Sequence, residues 1–289
     1  MKHAILSILL GFLAAVAGVK FMLPAKHSNA ATTESVHERV LRTGELRCGY
    51  FNASPYFMKD VATGTMSGIW HDFTEAMGKV LYIKIIWAEE VGLGDIPAAL
   101  NAGRIDMYCG GLWTPGARIR VINYLDPTAF EPMLVYVRAN DHRFDNDLSL
   151  INSPNIKIST IDGEGGGLIA NEEFPKATKA SLPQLSNRAD MFNQVVFNKA
   201  DVFINSPASV AEFNKSNPGK LRAISDKPLR VYPVSLAVKN GEDTLRHMLN
   251  MAARNVMYNG EMDRILRKYE SIPGHDFWRV NPAYLTPKE

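Results

Sequence analysis

Only two cysteines, Cys48 and Cys109, occur in 289 residues, too few for a scaffold built on disulfides. Each lies in a short apolar run of the kind that forms a buried strand. The pair reads either as two buried thiols or, in an oxidising compartment and with neighbouring strands, as a bond. The seven histidines (3, 27, 37, 71, 142, 247 and 275) are scattered without ligand-like spacing, so no metal centre is expected. An excess of one charge is also missing. The formal net charge is +2; residues 1–30 contain Lys2, Lys20 and Lys26 and no acid, so the remainder carries 2 − 3 = −1. A near-neutral chain offers no electrostatic basis for binding nucleic acid. There is no internal repeat and no low-complexity tract. The glycine run of residues 162–167, DGEGGG, lacks the Lys-Ser/Thr of a phosphate-binding loop and has Leu168 where a dinucleotide fingerprint needs its third glycine. Asp162 and Glu164 would also repel phosphate. No nucleotide or other cofactor is expected, and the run reads as a strand-to-helix turn whose N–H groups face a cleft.

What is present is ordinary globular material, 46% hydrophobic and 21% charged, enough for two core-forming units. Residues 1–30 combine Lys2 and His3, an apolar run over residues 4–19 and the small-residue site Ser28-Asn29-Ala30, the pattern of a cleaved export signal. The rival is an uncleaved anchor, since residues 4–23 approach membrane-spanning length although Lys20 interrupts them. Cys48 lies too far along to be a lipid-bearing N-terminal cysteine.

Beyond that segment, short apolar runs alternate with helical periodicity, which predicts an α/β architecture. A strand is expected over 45–50 (ELRCGY), a helix over 68–80 with Asp72 in its first turn, a strand over 81–87, a helix capped by Asp95 and a strand over 105–109. Gly110-Gly111 reads as a turn at that strand's end, just before Trp113, Thr114 and Arg118. A second alternation begins near Ile156. It holds strands at 156–161 and 201–204, a helix through Met191 and Val195, a strand at 234–238 and a long helical pattern that Asn259-Gly260 breaks.

The chain resembles the bacterial family-3 extracellular solute-binding proteins, whose best-known members bind polar amino acids for ABC importers. The resemblance covers roughly residues 40–269 and rests on GELRCGY, on Gly64 and Gly68 followed by Asp72, and on IPAALNAGRIDM ending at Asp106. It also rests on Arg118 twelve residues later, on FNKADVFINSP and on NGEMDRILRKY. It implies a two-lobed periplasmic-binding-protein-like fold of type II, two α/β lobes joined by two crossover strands. Residues 36–132 would form the first part of lobe 1, 133–231 lobe 2 and 235–289 the rest of lobe 1, with the lobes closing about 128–132 and 230–235. In the family the arginine matching Arg118 holds the ligand's carboxylate, and Gly111 lets backbone N–H groups approach the same anion. The alternative for an arginine here is a surface salt bridge.

Departures from the family bear on specificity. Trp113 and Pro115 stand where the family usually carries threonines, with Thr114 between them as a substitute. Trp113 either stacks on a ligand or caps the lobe's core. The family's aromatic lid falls at Ala53, near Tyr50, Phe51 and Tyr56, and its second aromatic falls in Gly92-Leu93-Gly94. Trp70 is a further candidate against a helix-packing role. Members that bind α-amino acids end the strand matching 201–204 with an aspartate for the ligand's ammonium, whereas this chain has Asn205-Ser206. That puts an amino-acid ligand in doubt and makes a carboxylate without the amine plausible. Glu164, beside Gly165, restores a negative charge or is a solvated loop acid.

Three function classes follow. The first is a periplasmic receptor for a small carboxylate-bearing solute that serves an ABC permease, with no catalytic residue. The second is an enzyme on the same fold, like cyclohexadienyl dehydratases, for which Glu164, Asp162 and His71 are the available groups. The third is a sensory or accessory module held at the membrane. A cleft acid with a raised pKa would favour the enzyme.

Overall fold

The computed structural model describes residues 34–114, 116–272 and 274–280. The signal-or-anchor reading of residues 1–30 falls outside them, as does Pro115. Among the described residues no helix is long and apolar enough to cross a membrane.

Helix α1 (Val36–Thr43) starts on a capping box in which Ser35 and Glu38 satisfy each other's backbone N–H groups, and it ends on left-handed Gly44. Strand β1 (Glu45–Tyr50) is followed by a short hairpin, β2 (Met58–Lys59) with β3 (Met66–Ser67). Helix α2 (Ile69–Leu81), strand β4 (Lys84–Glu90), helix α3 (Ile96–Asn101) and strand β5 (Met107–Trp113) come next. Helix α4 (Gly116–Ile119) and strand β6 (Ile122–Tyr124) lead into β7 (Ala129–Arg138), which leaves lobe 1. Lobe 2 contains β8 (Lys157–Ile161), α5 (Gly165–Glu173), β9 (Thr178–Leu182), α6 (Arg188–Val196), β10 (Val202–Asn205), α7 (Pro207–Ser216) and β11 (Leu221–Ala223). Strand β12 (Arg230–Lys239) returns to lobe 1, where α8 (Asp243–Tyr258) and α9 (Glu261–Tyr269) pack.

The strands run in the order β4-β1-β5-β12-β7-β10-β8-β9. Strands β1, β4 and β5 are parallel, as are β8, β9 and β10, the arrangement in which helices pack on the sheet faces. The two lobes meet where β7 and β12 pair antiparallel, from Ala129 opposite Val234 to Met133 opposite Arg230. Outside that ribbon, Phe130 exchanges both backbone hydrogen bonds with Trp278, and buried Phe277 packs its ring edge against Tyr56. One hydrophobic core runs from lobe 1 through the ribbon into lobe 2, where it includes Ile158, Ile169 and Val202, and a smaller one in lobe 2 centres on Phe192 and Phe203.

Two local expectations change. Tyr82 adopts a left-handed conformation (φ 54°) at the end of α2, so the strand begins at Lys84 rather than at residue 81. Gly110-Gly111 is not a turn, because β5 continues through it. Ala237 of β12 faces Tyr108 while Ser235 faces Leu112, so the residues between them form a bulge that keeps both sides paired. Gly111 sits there at φ +70°, and a Cβ on it would lie 2.0 Å from Trp70 Nε1, so only glycine fits. The cysteines are bonded. Cys48 on β1 faces Met107 on parallel β5, which brings the Cα atoms of Cys48 and Cys109 to 5.5 Å.

Candidate functional site

A cavity lies between the lobes at the carboxyl ends of their strands, where ligands settle in open α/β sheets. Lobe 1 lines it with Phe51, Ala53, Tyr56, Leu93, Tyr108, Gly110, Gly111, Leu112, Trp113 and Arg118. Lobe 2 contributes Glu164, Gly165 and Arg188, and the two crossover strands contribute Glu131 and Val234.

Arg118 sits on the single turn of α4, just past the bulged strand. It is 9% exposed, and its Nη2 donates to the carbonyl oxygens of Leu93 (3.3 Å) and, across the cleft, Gly163. No carboxylate pairs with it among the described residues, so it is not a salt-bridge arginine. Asp106, twelve residues earlier, is built into lobe 1, where it accepts from the side chains of Arg39 and Arg47 and from the backbone N–H of Arg47.

Opposite Arg118 is a buried network. Glu131 is 0% exposed and accepts from Tyr56 Oη (2.5 Å) and from Trp113 Nε1. Burial pushes its carboxyl up to about 7, against the Tyr56 and Trp113 hydrogen bonds and the positive charge of Arg188, which pull it down. Tyr56 Oη also bonds Ser206 Oγ and accepts from Ser209 Oγ (3.2 Å). Arg188 lies over the Tyr56 ring (5.1 Å), donates to Ser209 Oγ (3.2 Å) and pairs with Glu164 at 2.9 Å. Burial and the neighbouring Glu131 hold the Tyr56 hydroxyl well above its usual range. Among the described residues, two buried oxygens lining the cavity have no hydrogen-bond partner, Glu164 Oε2 and Tyr108 Oη. Such groups are rare in a folded protein and are satisfied by water or by a ligand.

Of the expected site residues, Arg118, Gly111, Trp113, Tyr56, Glu164 and Gly165 line the cavity. Trp113 reaches lobe 2, and a Cβ on Gly165 would fall 2.2 Å from its ring. The indole thus touches both lobes while it donates to Glu131. Glu164 is not a solvated loop acid; it is 2% exposed. The other five lie elsewhere. Tyr50 stacks on Phe57 inside lobe 1 and accepts from Lys59. Trp70 is fully buried beneath Gly111, and Thr114 is half-buried outside the lining. Asn205 and Ser206 are fully buried behind the cavity, where Asn205 accepts from the Ser206 N–H (2.9 Å) and donates to Glu164 (3.3 Å). Asp162 bonds Ser181, and His71 is stacked on Trp87 on the outer face of lobe 1. Two acids line the cleft, Glu131 and Glu164, and burial raises the carboxyl of Glu131.

Glu131 and Arg188 are the site residues that pattern reading missed. Glu131 carries a usable signal, an acid inside the apolar run AFEPMLVYV, where burial demands partners. Arg188 opens α6 behind its cap, Asn187, and no sequence feature marks it.

The family model for bacterial extracellular solute-binding proteins, family 3, matches residues 46–271. The chain is 24% identical over 218 residues to a "Probable histidine-binding protein" of Neisseria gonorrhoeae, covering 73% of this chain and 77% of that protein. Among solved structures, an ancestral amino-acid-binding protein described as a precursor of cyclohexadienyl dehydratase superimposes with a TM-score of 0.70. Its identity is 21%, over 80% of this chain and 97% of that one. A solute receptor for L-cysteine of Neisseria gonorrhoeae matches with a TM-score of 0.70 and 13% identity, over 86% and 98%. With lobes, crossover strands and cleft all present and the family model spanning most of its length, this chain belongs to the bacterial extracellular solute-binding proteins, family 3.

Proposed function

We propose that this protein is an exported receptor that captures a small carboxylate-bearing solute between its lobes and delivers it to an ABC permease of the inner membrane. One observation carries the reading: Arg118, nearly buried and lining the cavity, meets carbonyl oxygens and the Tyr124 hydroxyl but no carboxylate among the described residues. A guanidinium held this way answers a carboxylate that enters the cleft, through two parallel charge-assisted hydrogen bonds. The amino-acid and histidine binding ascribed to its relatives fits a carboxylate-bearing solute.

A thermal-shift screen of amino acids and organic acids tests it, since a solute at ~100 times its dissociation constant adds about 2.7 kcal/mol of stability. Arg118→Ala should weaken binding of the hit by roughly 2 to 4 kcal/mol in calorimetry. Arg118→Lys should not restore full affinity, because lysine lacks the planar fork. Unchanged affinity in Arg118→Ala would remove the carboxylate assignment.

Glu131 favours a second reading. A buried carboxyl raised to about 7 in a cleft is poised for proton transfer near neutral pH, as elimination from a carboxylic substrate requires. Incubation with β-hydroxy carboxylates, followed by NMR, separates the two readings, because only the enzyme yields a dehydrated product.

A further inference from the structure

Residues 274–280 lie beyond the stretch that the family model matches, yet they fold back onto the hinge. Side chains fasten them to lobe 1. Arg279 Nε donates to Asp263 of α9 (2.9 Å), and its Nη2 donates to Glu270, which follows that helix (2.9 Å); both carboxylates are buried. Glu270 also accepts from the Phe277 N–H (3.3 Å), and Asp276 accepts from the Ser271 N–H (2.8 Å). Phe277 is fully buried, its ring edge on Tyr56. Trp278 differs, because its indole is 42% exposed and it is the backbone that makes the contact. Its N–H and C=O exchange two hydrogen bonds of 2.8 Å with Phe130 of β7.

Phe130 stands where β7 leaves lobe 1. Opposite it on β12 is Pro233, which has no N–H to offer, and both backbone groups of Phe130 point to the other edge of β7, where Trp278 satisfies them. Four residues later on that edge, Leu134 pairs with Asn205 of β10. The edge is thus held by lobe 1 at Phe130 and by lobe 2 from Leu134 onward. Between these anchors lie Glu131, Pro132 and Met133. Alternation directs Pro132 to the same edge, and it has no N–H for a third bond there.

We propose that residues 274–280 are a third element of the hinge, a strap that clamps β7 to lobe 1 at Phe130 and confines the bend to residues 131–133. A hinge that flexed over 128–132 would break both Phe130–Trp278 bonds, whereas a bend beyond Phe130 spares them. A shorter pivot gives a narrower swing, so the strap limits how far the cleft opens, whatever the cleft binds. It also keeps Phe277 seated against Tyr56, the residue that reaches across to lobe 2.

The experiment uses the full chain without solute. Spin labels on Lys79→Cys of α2 and Lys199→Cys after α6, both exposed positions, report the distance between the lobes, while the native cysteines are bonded to each other and take no label. Trp278→Pro removes the N–H that the Phe130 carbonyl accepts. The distance distribution should broaden towards longer values, and hydrogen exchange at the Phe130 amide should rise roughly five- to tenfold, the effect of about one hydrogen bond. Trp278→Ala keeps both backbone bonds and should superimpose on wild type. A distribution unchanged in Trp278→Pro would overturn the strap, and equal broadening in Trp278→Ala would overturn the backbone clamp by assigning the effect to the indole. Wild type gives a reading even if Trp278→Pro fails to fold. Its Phe130 amide should exchange as slowly as that of Leu134, and exchange as fast as at exposed Val61 would show that no clamp holds there.

Discussion

Strands β5 and β10 both point their carboxyl ends at the cleft, and they use the position differently. The end of β5 is bare backbone, a glycine bulge followed by a tryptophan and an arginine that meets no carboxylate among the described residues. The end of β10 is closed on itself, with Asn205 and Ser206 fully buried, bonded to each other and tied to Glu164 and Tyr56. A strand end with spare hydrogen-bonding capacity can grip a solute. One whose polar groups are already satisfied gains little from a ligand and acts as a latch. On this comparison the end of β5 offers donors to the cavity, while the end of β10 is tied to Tyr56 of lobe 1.

The comparison breaks most severely inside lobe 1. The Cys48–Cys109 bond ties β1 to β5 across a separation of 61 residues, and no cysteine is left for a similar tie in lobe 2. Closing a loop of that size stabilises a fold by about 4 kcal/mol on the chain-entropy account. Replacing both cysteines with alanine should lower the unfolding free energy by that order in urea titrations, with hydrogen exchange accelerating in β1 and β5 before β8 and β10. Uniform acceleration in both lobes would show that they do not differ in local stability.

Glu131 gives the next largest effect. Its carboxyl is raised from 4.5 to about 7, so the folded protein binds more protons than the unfolded chain between those values. Stability from this source is therefore fully present below about pH 4.5 and is lost as pH rises to 7. A shift of (7 − 4.5) pH units corresponds to about 3 kcal/mol. Glu131→Gln has no charge to bury and can still accept from Trp113, so ligand-free stability measured at pH 5 and pH 8 should differ less in the variant than in wild type. The same pH dependence in both proteins would mean that Glu131 is not the group responsible.

Much of this was legible in advance, and unevenly so. Alternating apolar runs report burial directly, so the α/β alternation, the two lobes and the break at Asn259-Gly260 follow from pattern. The end of β5 misled because Gly-Gly is the usual mark of a turn, while pairing with β12 on both sides of the bulge keeps it a strand. That is a tertiary effect with no local trace. Arg118 and Gly111 were singled out through the family resemblance, and both line the cavity. The network of Tyr56, Glu131, Arg188 and Ser206 joins side chains as far as 150 residues apart, and only the folded topology brings them together. Even so, Glu131 could have been singled out as an acid inside an apolar strand, which must find partners or take up a proton.

The smallest expected effect sharpens the distinction between grip and latch. Tyr56 belongs to lobe 1, yet its hydroxyl reaches Ser206 and Ser209 of lobe 2 as well as Glu131 of the crossover strand. Tyr56→Phe keeps the ring over which Arg188 lies and removes only these bonds, at a net cost of about 1 kcal/mol if water replaces them and up to about 3 if Glu131 is left short of a donor. Because the lost bonds exist only in the closed form, the change should appear as a shift towards open molecules rather than as lost packing. Small-angle scattering of the ligand-free variant should therefore give a larger radius of gyration than wild type, with its melting temperature almost unchanged. The solute that binds wild type should return the variant to the closed curve at higher concentration, because the grip at Arg118 is intact and only the latch is weakened. If the ligand-free curves of wild type and Tyr56→Phe superimpose, the lobe 2 network does not hold the cleft shut, and closure rests on other contacts between the lobes, such as those of Trp113 with Gly165, of Arg118 with Gly163 and of the Gly94 N–H with Gln184 (3.1 Å).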